Sequence, residues 1–162
     1  MKYNLLIIAF LFSACSVTNY EQTKTKVIII KSPKIKFADI GYLRNSEEKI
    51  ELELFIAGKC IDKISVNHLV CVSDGCMSKS SFNKEYLSAE YPDDLLQNIL
   101  LGMPIYEGKN RIKTKDGFEQ KIDEGQVEIR YSVTPHAIVF KDKKNSIIFT
   151  LKDTETLQKD RE

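Results

Sequence analysis

The chain has 162 residues, with 24 lysine and arginine residues against 23 aspartate and glutamate residues. This balance gives no reason to expect nucleic acid as a partner. Hydrophobic residues make up 43% of the chain and tryptophan is absent, a composition that suggests neither a disordered chain nor a bundle of membrane helices.

The first fourteen residues have the features of an export signal. Lys2 supplies a positive start, and the apolar run at residues 5–12 suits a signal peptide but is too short to span a bilayer. A small residue, Ala14, then stands directly before Cys15. The stretch Leu11-Phe12-Ser13-Ala14-Cys15 resembles the signal of bacterial lipoproteins, although Phe12 stands where that family prefers leucine.

The resemblance implies a lipid anchor on Cys15. In that family the cysteine thiol receives a diacylglycerol, the peptide bond before it is cut, and the new amino terminus is usually acylated. Ser16 follows the cysteine, and by the enterobacterial sorting rule this implies the outer membrane, with the domain facing the periplasm. The membrane is then a partner through the lipid on Cys15. The alternative is an ordinary secretory signal followed by a chance cysteine.

The remaining chain is long enough for one domain. Residues 15–25 are mostly polar and predict a lipid-bearing tether, residues 26–152 a β-rich domain, and residues 153–162 a polar tail. Because the leader contains one lysine and no acid, the mature chain has a formal net charge of zero. Such a chain gives no general reason to expect attraction to an anionic membrane surface.

Strands dominate the predicted domain. Ile50, Leu52, Leu54 and Ile56 alternate with more polar positions, which puts one face of a strand on a core. Asp74-Gly75 supplies a tight turn between two further strands. The first-half strands are expected at residues 26–31, around 35–40, and at 50–56, 60–66, 68–72 and 76–82.

One helix is predicted at residues 92–101. Pro92 suits its first turn, Asp93 and Asp94 favour its positive end, and Gly102 ends it. Its apolar face could either complete a core or cover a ligand cavity; the face consists of Leu95, Leu96, Ile99, Leu100 and Met103.

The second half returns to strands. They are expected at residues 117–122, 127–133, 138–141 and 147–151, with a further short strand at 111–114. The fold class is therefore mainly β with minor α: a single curved antiparallel sheet or open half-barrel with one covering helix.

Three cysteines remain besides Cys15. Cys71 and Cys76 flank the predicted hairpin turn and can form a disulfide there, while Cys60 paired with either of them, or three free thiols, are the alternatives. A zinc site formed by these cysteines with His68 is disfavoured, because structural zinc sites more often contain Cys-x2-Cys pairs. We therefore predict neither a metal nor a cofactor.

Catalytic motifs give no support for an enzyme. Ser81-Phe82-Asn83-Lys84 fits the Ser-x-x-Lys pattern of penicillin-recognising enzymes, but the accompanying Ser-Asp-Asn and Lys-Thr-Gly motifs are absent and the segment is expected in a strand. His68 and His136 fall in predicted turns, where exposure is the ordinary outcome.

The order of elements after residue 92 resembles the C-terminal half of the LolA/LolB group. Helix 92–101, Gly102-Met103-Pro104, Gly117-Phe118-Glu119-Gln120 and the last strands carry the resemblance. These periplasmic lipoprotein carriers and outer-membrane receptors are open, curved sheets with helices on the concave apolar side. The resemblance implies a cavity for acyl chains. The sequence thus leaves two non-catalytic functions: a module that binds lipid or lipoprotein acyl chains, or a structural or assembly-accessory envelope lipoprotein that binds another protein.

Overall fold

The structure, a computed structural model, describes residues 20–154 of the chain. Eleven strands and two helices make up the fold. The strands are β1 Gln22–Lys31, β2 Lys36–Asn45, β3 Ile50–Ile56, β4 Lys59–Val66, β5 Leu69–Val72, β6 Gly75–Ser78, β7 Arg111–Lys113, β8 Phe118–Glu124, β9 Val127–Val133, β10 Ala137–Asp142 and β11 Ile147–Asp153. The helices are α1 Lys79–Tyr86 and α2 Leu95–Leu101, with a 3-10 turn at Tyr106–Gly108.

All eleven strands form one curved, open antiparallel sheet, as the fold-class prediction states. Their order is β6-β5-β4-β3-β2-β1-β11-β10-β9-β8-β7. Consecutive strands therefore pair, except β6 and β7, and β1 pairs with β11 in the middle. The two edges, β6 and β7, are consecutive in the chain. The segment between them, residues 79–110, must therefore cross the sheet, and it does so over one face.

That face is the concave one, and it holds the core. Alternate strand residues point toward it, among them Ile28, Leu52, Ile64, Ile129 and Phe140, each 0–1% exposed. The helices supply the second layer, because Phe82 and Leu95 belong to the same buried cluster. The apolar face of the sheet thus packs against the apolar faces of the helices, which is the usual packing of an antiparallel sheet whose other face is exposed to solvent.

A glycine permits close packing near the centre of the sheet. A Cβ atom on Gly41 of β2 would lie 2.4 Å from both the Glu53 carbonyl oxygen and the Ile28 Cδ1 atom. No larger residue fits there unless β3 or Ile28 moves. Directly beyond, the pairing of β3 with β4 shifts register between Leu54 and Phe55. Such irregularities increase the local twist and bend of a sheet.

Two helices cross the sheet, so the prediction of one covering helix was incomplete. The predicted strand 76–82 was wrong: β6 ends at Ser78, and α1 begins at Lys79. The Ser78 hydroxyl accepts a hydrogen bond from the Ser81 backbone N–H at 3.1 Å, the ordinary N-cap arrangement. The predicted start of the second helix at residue 92 was three residues early, since α2 begins at Leu95.

The domain also begins earlier than predicted. Residues 22–25 were assigned to the tether but belong to β1, where they pair with β2 and not with β11. Their polar side chains are exposed, so hydrophobic periodicity could not reveal the strand. Asp153, assigned to the tail, is the last residue of β11. Within residues 20–154, no helix is long and apolar enough to cross a membrane.

Candidate functional site: the helix-covered face of the sheet

The apolar face of α2 lies inside the core. Leu95 and Ile99 are fully buried, and Leu96 and Leu100 are 2% and 1% exposed. Met103, predicted as part of this face, is 49% exposed and lies outside it. The separation occurs because Gly102 ends the helix in the left-handed region, at φ 67°, so Met103 leaves the helical path.

The carboxyl end of α2 is fixed to the sheet by a tyrosine. The Tyr131 hydroxyl on β9 lies within hydrogen-bonding distance of two carbonyl oxygens, that of Asn98 at 3.3 Å and that of Met103 at 3.0 Å, and can donate to either. Tyr131 is 1% exposed, and burial raises the pKa of its hydroxyl. The side chain therefore stays a neutral donor, and it adds a sheet contact to the Asn98 carbonyl, which the Met103 backbone N–H already pairs at 2.8 Å, and to the carbonyl of Met103 just beyond the helix.

The segment between the helices is held by a second set of buried hydrogen bonds. The Asn83 side-chain amide donates to the carbonyl oxygens of Tyr91 and Pro92, at 3.2 and 2.9 Å. The Tyr91 hydroxyl donates to Asp142 Oδ2 on β10 at 2.7 Å. Because Asn83 lies on α1, these bonds connect the first helix, the inter-helix segment and the far half of the sheet.

Asp142 is a buried carboxylate with several donors. It accepts from the Asn145 amide at 2.7 Å and from the Glu128 backbone N–H at 3.1 Å, in addition to Tyr91. Burial alone would raise the pKa of Asp142, but these hydrogen bonds outweigh it and hold the pKa below the ordinary value. The group is ionised and structurally satisfied, so it is unsuited to accept a proton as a general base near neutral pH.

Gln120 fixes the segment that leaves α2. The residue is 1% exposed on β8, and its side chain bonds both the backbone N–H and the carbonyl oxygen of Ile105, each at 2.9 Å. Its amide also donates to the Lys109 carbonyl oxygen at 2.8 Å. Together with Tyr131 and Asp142, it attaches the crossing segment to the sheet at three places, while Asn83 joins α1 to the inter-helix segment.

Sequence reasoning missed all four of these residues. A signal existed for two of them, since Gln120 and Asp142 stand at the strand positions that alternate into the core, beside Ile122 and Phe140. A polar residue at a core position needs a partner. Tyr131 also stands at an inward position of its strand, but a tyrosine is common in a core and does not by itself indicate a polar partner. Asn83 had no such signal, because the helix that contains it was not predicted.

The cysteines are arranged in and beside the β5–β6 hairpin. Cys71 and Cys76 stand directly opposite each other in the register and are joined by a disulfide. Cys60 is a free, exposed thiol. The disulfide removes two ligands of the disfavoured zinc site, and no group of three metal-ligating side chains converges among residues 20–154. Cys15 lies outside the described residues.

The Ser-x-x-Lys pattern lies on α1, so the reason for rejecting it changes. Ser81 and Lys84 are one helical turn apart and both are exposed. Ser81 bonds Ser78 through its hydroxyl at 2.8 Å, and no hydrogen bond joins it to Lys84 in the described part of the chain. Without a lysine contact or the partner motifs, the serine has no activating base.

An acidic cleft of about 470 Å³ lies beside the start of α2. Its lining includes Asp93 and Asp94, and the nearby Glu124 is paired with Lys109. Asp94 accepts a hydrogen bond from the Asn98 amide at 2.8 Å and makes no side-chain cap bond to the helix backbone. Burial raises the pKa of Tyr106 in this cleft to about 12, so its hydroxyl stays protonated. The cleft has no nucleophile beside a base.

No known protein family, curated protein or solved structure matches this chain.

Proposed function

We propose that this protein is a lipid-anchored lipoprotein of the outer membrane, facing the periplasm, and that it binds another envelope component through its outer surface without catalysis. The support for the anchor is the sequence before and at Cys15. The support for a binding role is that the domain has a filled core, and that neither the acidic cleft nor the Ser81–Lys84 pair places a nucleophile beside a base.

The observation that carries the surface-binding role is the burial of α2. Leu95, Leu96, Ile99 and Leu100 are each at most 2% exposed, within one cluster shared with the strands. A helix that covers an empty cavity would leave part of this face without neighbours. Four buried hydrogen-bonding residues also hold the crossing segment in place. The concave side is therefore unavailable to a ligand unless the helices move.

A second candidate function is acyl-chain binding, as the resemblance to the LolA/LolB group implies. The architecture favours it, because the sheet is open and its concave side is covered by helices that reach both halves. In this case the helices would have to leave the sheet before a chain could enter. The two functions differ in whether the unmodified domain takes up a fatty acid.

The anchor is tested by replacing its acceptor. Cys15→Ala should abolish labelling with radioactive palmitate and leave the precursor uncleaved or the protein soluble. Cys60→Ala is the matched control, because it removes an exposed thiol that no lipoprotein signal precedes. Unchanged palmitate labelling of the Cys15→Ala protein would contradict the anchor.

The binding class is tested with a fluorescent fatty acid added to the chain from Ser16 onward, which keeps every described residue. The surface-binding role predicts no saturable uptake. Saturable binding that Ile99→Ala weakens and Met103→Ala leaves unchanged would establish the acyl-chain function instead.

A further inference from the structure

The net charge of the chain hides a local separation of charge on the convex face of the sheet. On the four adjacent strands β2, β1, β11 and β10, the outward positions are those that alternate with buried residues such as Ile28, Phe37, Phe140 and Phe149. Within these described strands, no aspartate or glutamate occupies an outward position. The outward residues are lysines, one arginine, and small, apolar or uncharged side chains.

Five cations form a row across six neighbouring strands, which we call the basic row. The register places Lys36 opposite Lys31, Lys31 opposite Ile148, Ile148 opposite Lys141, Lys141 opposite Arg130, and Arg130 opposite Lys121. All five cations are exposed. At a strand spacing of about 4.8 Å, the row extends across roughly 24 Å.

The cations of the basic row have no direct ion pair among the described residues, although Glu119 and Asp123 flank Lys121, and Glu128 flanks Arg130, on the same face. Among residues 20–154, none of its five side chains has an ion pair or a side-chain hydrogen bond. Like charges directly opposite each other on adjacent strands are destabilising. The row therefore costs the fold stability unless an anion lies against it.

Elsewhere on the same face, cations do have partners. Arg44 pairs with Glu53 at 3.0 Å, and Lys49 pairs with the buried Glu51 at 2.8 Å. Lys63 lies 3.5 Å from Glu51. Lys152 on β11 is a further outward cation without an ion pair among the described residues, so the lack of partners belongs to the middle of the face and not to its β3–β4 side.

Apolar surface lies beside the row. A shallow cleft of about 300 Å³ surrounds Ile148, with Lys31, Arg130 and Lys141 in its lining. Its one outward acid, Glu128, is 3.6 Å from Lys143. Ile29 and Ile40, on β1 and β2, are 38% and 46% exposed. Cations next to exposed isoleucines suit a partner that offers both negative charge and an apolar layer.

The chain enters the domain on this same face. The Tyr20 hydroxyl bonds Glu51, and the Arg44 guanidinium lies 5.5 Å from the centroid of the Tyr20 ring. Both partners are outward residues of their strands. Cys15 is five residues before Tyr20, a distance of at most about 18 Å when extended.

We propose that this convex face lies on a membrane surface rich in anionic phospholipid. The basic row contacts the phosphate groups, and Ile29 and Ile40 contact the apolar boundary beneath them. The inference rests on the proposed lipid on Cys15 for the approach of the domain, but the attraction belongs to the domain itself. Each lysine or arginine near such a surface contributes about 1 kcal/mol, and salt screens the effect.

The test measures cosedimentation of the chain from Ser16 onward, without lipid, with phosphatidylcholine vesicles that contain or lack phosphatidylglycerol. We expect binding only where phosphatidylglycerol is present, weakening as salt is added. Combining Lys31→Gln, Arg130→Gln and Lys141→Gln should weaken it about hundredfold, since three favourable contacts are lost. The matched control combines Lys59→Gln, Lys84→Gln and Lys113→Gln, three exposed lysines outside the row, and should retain nearly full binding.

Three results would overturn the inference. They are no binding to phosphatidylglycerol vesicles, an equal loss of vesicle binding in the two triple variants, or binding to soluble heparin without binding to the vesicles. The second result would mean that net charge alone acts, and the third that the row accepts a soluble polyanion. None of these results bears on the lipid anchor, which the palmitate experiment tests separately.

Discussion

The Tyr91 hydroxyl donates a 2.7 Å hydrogen bond to Asp142 Oδ2, and this bond joins the segment between the two helices to β10. The Tyr91 ring also packs edge-on against Phe140, with ring centroids 5.9 Å apart. One side chain thus contributes both apolar burial and a charge-assisted hydrogen bond at the centre of the concave side.

Tyr91→Phe should lower the free energy of unfolding by about 1–3 kcal/mol. The ring remains, but the buried Asp142 carboxylate loses one donor and is left less well satisfied. Urea unfolding measures the change. Tyr42→Phe is the matched control, because its hydroxyl has no hydrogen-bond partner among the described residues, and it should change stability little. An equal loss of unfolding free energy in the two variants would show that the Tyr91–Asp142 hydrogen bond does not stabilise the fold.

Stability should fall in acid because three carboxylates, Glu51, Asp142 and Asp153, have lowered pKa values. Hydrogen bonds outweigh burial in holding the pKa of Asp142 below 3.8 and that of Glu51 below 4.5. Each group therefore contributes stability that is present above its unfolded pKa and lost as pH falls through its folded pKa. Unfolding free energy measured from pH 7 downward should begin to decline near pH 4.5. Asp142→Asn should flatten that decline, and an unchanged slope would contradict the assignment.

Alkylation should find one reactive thiol in the oxidised, lipidated protein. Cys60 is exposed and free, while Cys71 and Cys76 are joined. Intact-mass measurement should show a single added group, and Cys60→Ser should show none. Three alkylated thiols in periplasmic material would refute the disulfide.

Reduction of the disulfide should lower the free energy of unfolding by less than the ~3 kcal/mol expected for a fifteen-residue loop, because the loop that it closes is shorter.

Local patterns sufficed to predict most of the sheet. The alternation of residues 50–56 predicted β3, and the Asp74-Gly75 turn predicted the β5–β6 hairpin. Both elements occur at the predicted positions, because both patterns depend on short-range geometry. The antiparallel class follows from the short connections between strands. What these patterns do not contain is the pairing of β1 with β11, which depends on contacts between the two ends of the domain.

The missed helix α1 shows why the remainder was harder. Phe82 and Tyr86 are one helical turn apart and their rings stack at 4.8 Å, yet the segment directly continues a strand. Ser78 is both the last residue of that strand and the N-cap of the helix, so no glycine or proline marks the boundary between β6 and α1. The spacing of apolar residues predicted the apolar face of α2. The burial of that face could not be predicted, because burial depends on the width of the sheet beneath the helix.

We infer that the concave face of the sheet is a filled core. Urea unfolding of Leu96→Ala beside Met103→Ala tests it most directly, because one residue is 2% exposed and the other 49%. We predict a loss of about 2–5 kcal/mol for Leu96→Ala, through lost burial and a new cavity, and less than about 1 kcal/mol for Met103→Ala. Small losses in both variants, together with saturable fatty-acid binding by the unmutated lipid-free chain, would contradict the claim.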